Sequence, residues 1–161
     1  MRSMIIALGA AGAAVAISAA VAQDGPPDRS QDIAWMNAQQ GYFATLKAED
    51  GWRYADGGLY WRRTAGDGEG PRPRLNNTVT VHYAGTFIDG EEFDSSYTRG
   101  EPATFPLGRL IPAWQQAIPM MAVGDTIELV APADLAYGPR GKGPIPGGAT
   151  LRFKVELLDF E

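Results

Sequence analysis

The sequence predicts an α+β domain in which a sheet wraps one short helix, with an amphipathic helix ahead of it. Three observations carry that reading. Strand signals recur along the chain at Gly58–Thr64, Thr78–Gly85, Ile127–Ala131 and Thr150–Phe160. Two of these segments alternate apolar and polar residues with the period of two that a half-buried strand requires. Between the second and third lies one short segment with helical spacing, opened by Ile111-Pro112.

Taken in order, Met1-Arg2-Ser3 supplies a positive charge, the run from Met4 to Ile17 is apolar, and Ser18-Ala19-Ala20-Val21-Ala22 ends in small residues. That is the pattern of a secretory signal peptide over residues 1–22, cleaved between Ala22 and Gln23. A retained anchor needs about 20 strongly apolar residues, and this run is shorter and rich in Ala and Gly. A lipid anchor needs a cysteine at the cleavage site, and the chain has none. Export is therefore expected, with no membrane contact after cleavage. The mature chain of about 140 residues suits one domain.

Residues 23–29 read as a Pro/Gly/Asp tether. Ser30 can cap a helix running to about Lys47, with Ile33, Met36, Phe43 and Leu46 near helical spacing and Gln31, Gln39 and Lys47 elsewhere. Gly41 weakens it. At about five turns, packing on its own domain is favoured over dimerisation, so a monomer is expected. Glu49-Asp50-Gly51 stops the helix, residues 30–56 thus forming helix and connection, and residues 57–161 form the main domain.

Within Thr78–Tyr83 the odd positions Val79, Val81 and Tyr83 share one face; Thr80 and His82 take the other. In the last strand Leu151, Phe153, Val155 and Leu157 alternate with Arg152, Lys154 and Glu156. Pro112 is tolerated in a first helical turn, and Trp114, Ala117 and Ile118 form one apolar stripe. Tyr83, Trp114 and Phe153 therefore point inward together; taken alone, they read as core aromatics.

Composition excludes several functions. With 14 basic and 19 acidic residues, a net charge of −5 and no basic cluster, the chain is unsuited to nucleic acid. The lack of cysteine removes disulfides and thiolate metal sites, and one histidine, His82, cannot build a metal cluster or a triad. No metal or cofactor is expected.

Seven stretches, in order, carry a family likeness: Val81-His82-Tyr83-Ala84-Gly85, Gly90-Glu91-Glu92-Phe93-Asp94-Ser95-Ser96, Leu110-Ile111-Pro112-Ala113-Trp114, Val123-Gly124-Asp125, Ala136-Tyr137-Gly138, Ile145-Pro146 and Ala149 through Leu158. The chain resembles the FKBP-type peptidyl-prolyl cis/trans isomerases over about Gly57 to Glu161. Its preceding helix and Gly58-Leu59-Tyr60 look like bacterial exported members related to the macrophage infectivity potentiators.

The resemblance implies a strongly curved antiparallel sheet, a half-barrel around the short helix, with a pocket between them. Its implied lining is Tyr83, Phe93, Asp94, Leu110, Ile111, Trp114, Tyr137, Ile145 and Phe153. Asp94, Tyr137, Phe93, Trp114 and Phe153 would carry catalysis; Tyr83, Leu110, Ile111, Ile145 and Arg99 would hold substrate. The proline ring is expected over Trp114. The Tyr137 hydroxyl and the Ile111 N–H would donate to substrate carbonyls, Asp94 would face the rotating carbonyl carbon, and Arg99 would brace Tyr83 and Asp94. Proline-containing unfolded proteins, and possible macrolide ligands, are the implied partners.

Such a reaction makes and breaks no bond. It passes a barrier of about 18–20 kcal/mol, so the site must only fit the twisted amide better than the planar one. Some positions depart from the family pattern. Ala103 stands where a pocket-edge aromatic is common, the stretch between Gly108 and Leu110 is short, and the loop Tyr137–Pro144 carries Arg140, Lys142 and two prolines. These bear on substrate preference and macrolide affinity. The competing readings are a chaperone that holds clients on the pocket rim and the N-terminal helix, with Trp35, Met36, Tyr42 and Phe43 partly exposed, and a scaffold module with a vestigial pocket.

Overall fold

The computed structural model describes residues 25–161; the expected signal peptide lies outside them. The chain forms α1 (Ile33–Gly41), β1 (Arg53–Ala55), β2 (Leu59–Ala65), β3 (Thr78–Phe87), β4 (Glu92–Ser95), α2 (Ser96–Arg99), β5 (Ala103–Pro106), α3 (Pro112–Ala117), β6 (Thr126–Ala131) and β7 (Leu151–Phe160). All strand pairs are antiparallel, in the order β1-β2-β6-β7-β3-β4, and β5 pairs with the first half of β3 beside β4. The sheet is open. Register shifts at Arg63/Ala65, Thr80/Val81 and Gly85/Thr86 mark irregularities of the kind that increase local twist.

The period-two reading of the strands places the core. Val79, Val81 and Tyr83 are buried together with Leu151, Phe153, Val155 and Leu157, and Trp114, Ala117 and Ile118 of α3 and its exit pack into the same cluster. Burying each of these larger side chains contributes about 1.5–3 kcal/mol, which anchors a helix of only 6 residues. Pro112 occupies its first turn, as expected. His82 lies outside the core, stacked on Tyr97 at 4.8 Å.

The N-terminal helix differs from its expectation. Asp32, not Ser30, caps it, accepting from Trp35 N at 2.9 Å. Regular α-helix ends at Gly41, and Tyr42–Thr45 and Ala48–Asp50 continue as single 3₁₀ turns. Its buried residue is Gln39, which the spacing had placed off the apolar face, while Ile33 is 68% exposed. The reason is a specific polar contact: Gln39 Oε1 accepts from Thr150 N at 2.9 Å, and Gln39 O accepts from Thr150 Oγ1 at 3.1 Å. Hydrogen bonds to the mouth of β7 outrank the apolar period here. Trp35, Met36, Tyr42 and Phe43 are half-buried.

Three strands escaped the sequence reading. β1, β4 and β5 have 3, 4 and 4 residues, too short for alternation to register. β1 lies within the stretch read as connection.

A buried carboxylate closes the end of β2 against the turn before β6. Asp125 accepts from Gly68 N, Ala122 N and Arg63 Nε at 3.1, 3.0 and 3.2 Å. Gly66, at φ +84°, passes so close that a Cβ there would lie 1.9 Å from Asp125 Oδ1. No helix among the described residues is long and apolar enough to cross a membrane.

Candidate active site

The concave face of the sheet and the start of α3 leave a cavity of about 190 Å³, lined by Tyr83, Phe93, Asp94, Phe105, Leu110, Ile111, Trp114, Tyr137 and Phe153. Trp114 forms its floor. The edges of three rings surround the indole: Tyr83 at 5.2 Å between centroids, Phe153 at 5.6 Å and Phe105 at 6.3 Å, all near perpendicular. Edge-to-face contacts of this kind favour ordered aromatic clusters. The indole Nε1 is buried with no acceptor among the described residues.

Phe93 closes one side, perpendicular to Phe153 at 5.8 Å. Its place is made by Gly85, the next inward position of β3 after Tyr83. A Cβ on Gly85 would stand 2.6 Å from Phe93 Cζ and 3.0 Å from Phe153 Cε1.

Asp94 sits at the rim on β4 with both carboxylate oxygens occupied. Oδ2 accepts from the Tyr83 hydroxyl and Oδ1 pairs with Arg99 Nη1. Arg99 Nη2 donates to the Tyr83 hydroxyl at 3.0 Å, closing a three-membered ring of contacts. α2 positions Arg99: Ser95 caps it by accepting from Thr98 N, and the chain leaves through Gly100 in the left-handed region. Burial and the hydrogen bond to Asp94 push the Tyr83 phenol above its ordinary value. The contacts with Tyr83 and Asp94 push the Arg99 guanidinium up further.

Two residues of the lining carry donors with no partner among the described residues. Ile111 precedes α3, and its carbonyl accepts from Trp114 N at 3.0 Å and Gln115 N at 3.2 Å; its own N–H meets no acceptor among the described residues. The Tyr137 phenol belongs to the same lining and is raised above its usual value by burial and then by the negative charge of Asp94. It is therefore a neutral donor at physiological pH.

Eight of the nine residues expected to line the pocket surround this cavity. Ile145 does not. It is buried in the wall of an adjoining recess of about 320 Å³ that shares Phe93, Asp94 and Tyr137 with the cavity. Ile145 closes the tight turn that begins at Lys142. Arg99 stands outside the lining and reaches it through Tyr83 and Asp94. Phe105 was missed: comparison of Ala103 alone overlooks the residue two positions on, which shares its face of β5 by strand alternation. Among the described residues no group of three or more His, Cys, Asp or Glu could hold a metal.

An open antiparallel sheet packed on a short helix, with an aromatic cleft and an engaged carboxylate at its rim, defines an α+β domain with one aromatic-lined cavity at the start of α3. Comparison with known proteins gives the family. The sequence profile described as FKBP-type peptidyl-prolyl cis-trans isomerase matches residues 70–158, and the chain belongs to that family. FKBP-type peptidyl-prolyl cis-trans isomerase FkpA of Aeromonas hydrophila is 43% identical over 120 residues, 74% of this chain and 44% of the relative. Outer membrane protein MIP of Legionella longbeachae is 50% identical over 95 residues, 58% of this chain and 41% of that protein. The crystal structure of FkpA from Escherichia coli superposes with a TM-score of 0.76 at 41% identity, covering 82% of this chain and 62% of that one. The chain spans about half the length of the curated relatives it matches.

Proposed function

We propose that this protein is a peptidyl-prolyl cis/trans isomerase that accelerates the folding of exported proteins by twisting X-Pro bonds in the aromatic cleft. The observation that carries the reading is the joint geometry at one cavity: an aromatic floor, two free donors and a carboxylate with no proton-transfer role open to it. The proline ring lies over Trp114, between Phe93 and Phe153. The Ile111 N–H and the Tyr137 phenol donate to substrate carbonyls and hold the peptide bent.

The planar amide is the more charge-separated form, and water stabilises it. An apolar wall that excludes water therefore disfavours the ground state relative to the twisted one. Each tenfold acceleration needs about 1.4 kcal/mol of that difference. Asp94 faces the carbonyl of the residue before proline. With Tyr83 and Arg99 already on its oxygens it acts through its charge, not as a base.

The test is catalysed isomerisation of short X-Pro peptides by the protein and by Asp94→Ala and Phe153→Ala variants shown by circular dichroism to be folded. Loss of rate in both variants is expected. A wild type inactive on every peptide tried would turn the reading to a chaperone or a binding module. The chaperone reading asks for partly exposed Trp35, Met36, Tyr42 and Phe43, and their half-burial meets that condition.

A periplasmic location is supported by the signal pattern of residues 1–22 together with the likeness to bacterial exported members of the family, and cell fractionation tests it. The monomer reading is supported by α1 turning Gln39 onto its own β7; equilibrium sedimentation tests it. Macrolide binding at the cleft is tested by inhibition of the same assay.

A further inference from the structure

We infer that α1 is a positioning element of the cleft: Trp35 and Gln39 together hold the return of the connection that carries Tyr137. This role rests on the isomerase reading above and deepens it, since both residues act through the Tyr137 phenol.

The contacts of α1 are unusual for a packing helix, which buries an apolar stripe. α1 instead leaves Ile33 68% exposed and buries one polar residue, Gln39. Trp35 stands one turn before Gln39, so the two share a face, and both meet the end of the connection between β6 and β7. Gln39 accepts two hydrogen bonds from Thr150. The Trp35 indole stands beside Gly148, where a Cβ would lie 3.8 Å from Cζ3, and it lines a recess with Pro144 and Pro146.

A short path of hydrogen bonds leads from there to the phenol. Gly148 N donates to Gly138 O at 3.0 Å, Gly138 N to Ala133 O at 2.8 Å, and Gly141 N to Tyr137 O at 3.2 Å. The residue after Tyr137 is thus pinned at both its N–H and its carbonyl, and one of the two pins is Gly148, the residue against Trp35. Regular structure in the connection is limited to a 3₁₀ turn at Ala133–Leu135 and the bridge between Lys142 and Ile145. A segment of that kind keeps its shape by the surfaces it rests on.

Trp35 is itself held. Arg29 pairs with the cap Asp32, and its guanidinium lies 5.1 Å from the Trp35 ring centroid. Asp32 accepts from Trp35 N. Just before the helix, Pro27 borders a recess with Pro139 and Gly147. The N-terminal segment therefore faces one side of the connection, while Tyr137 lines the cleft. No residue of α1 lines the cleft, so α1 reaches turnover only through what it holds.

The experiment is a double-variant cycle on isomerisation of one short Leu-Pro peptide, with Trp35→Ala and Tyr137→Phe alone and combined, and kcat/KM expressed per folded molecule. Trp35→Ala should lower kcat/KM about 3- to 10-fold, the span of one neutral hydrogen bond. In the Tyr137→Phe background the same change should cost less than about twofold, since the group it positions is gone. Trp35→Phe, which keeps a ring beside Gly148, should hold most of the wild-type rate, and Ile33→Ala, on the exposed side of the helix, all of it. A wild-type kcat/KM in Trp35→Ala overturns the positioning role. So does an equal loss in both backgrounds, which is what a helix that merely supports the fold gives. Hydrogen exchange of the Gly148 amide, read on the same proteins, should be faster in Trp35→Ala, and unaltered exchange overturns the role whether or not the protein turns over peptide. A wild type that turns over no peptide, with faster exchange in Trp35→Ala, leaves the hold of α1 on the connection standing and removes the isomerase reading alone.

Discussion

Gly85 and Phe93 occupy the same space by division: the glycine has no side chain because the phenyl ring stands where its Cβ would project, 2.6 Å from Cζ. The two residues lie on neighbouring strands, beside the bulge that separates Gly85/Asp94 from Thr86/Glu92 in the register. The cleft wall therefore depends on a missing methyl group.

Gly85→Ala should accordingly cost about 1–3 kcal/mol in stability through overpacking, although alanine is otherwise favoured over glycine in a strand. It should also lower kcat/KM by about tenfold or more, a transition-state loss of about 1.4 kcal/mol, because Phe93 must move. Urea unfolding of Gly85→Ala, Phe93→Leu and the double variant checks this. The double variant should be more stable than the two single losses summed, and strict additivity would mean the ring and the methyl do not meet.

Asp125 should be structural alone. Asp125→Asn keeps the shape but weakens charge-assisted contacts to Gly68, Ala122 and Arg63, and about 2 kcal/mol of stability should be lost. The urea midpoint should fall, while kcat/KM per folded molecule stays at the wild-type value. An activity loss at full folding would contradict this.

Gln39 should fix the mouth of β7. In Gln39→Ala the buried Thr150 N–H loses its acceptor, at a cost of about 1–3 kcal/mol. Hydrogen exchange at that amide should accelerate, with β7 itself much less affected. If Thr150 exchanges as in the wild type, α1 does not clamp the strand.

The alkaline limb of the stability curve should show the tyrosines. Tyr97 is pushed up to about 12 by burial and by its hydrogen bond to Glu156, and Tyr83 and Tyr137 are also raised. A group whose folded pKa is raised favours the fold while protonated. This stability is fully present below about pH 10, the ordinary phenol value, and for Tyr97 is lost as pH rises to about 12. Thermal melts across that window should decline, and less steeply in Tyr97→Phe. Activity should be flat from neutral pH to about pH 9.

Period-two alternation made Tyr83 and Phe153 legible as inward residues, and helical spacing did the same for Trp114, because local backbone geometry fixes which side chains share a face. The departures have a common cause. Ser30 and Asp32 are equally good caps by type, and only the path of the chain beyond Arg29 selects Asp32. Gln39 reads as solvent-facing until β7 is laid beside it. Phe105 and the four residues of β4 carry too short a pattern to identify a strand without its partner β3.

The sequence by itself determined the α+β class, the inward aromatic set of β3, α3 and β7, and, through its family likeness, the chemistry expected at Asp94 and Tyr137. Only the tertiary structure decided that both oxygens of Asp94 are engaged, that Gly85 makes room for Phe93, and that Ile145 lines the adjoining recess. Those are contacts between residues far apart in the chain, and no local periodicity encodes the distance between them.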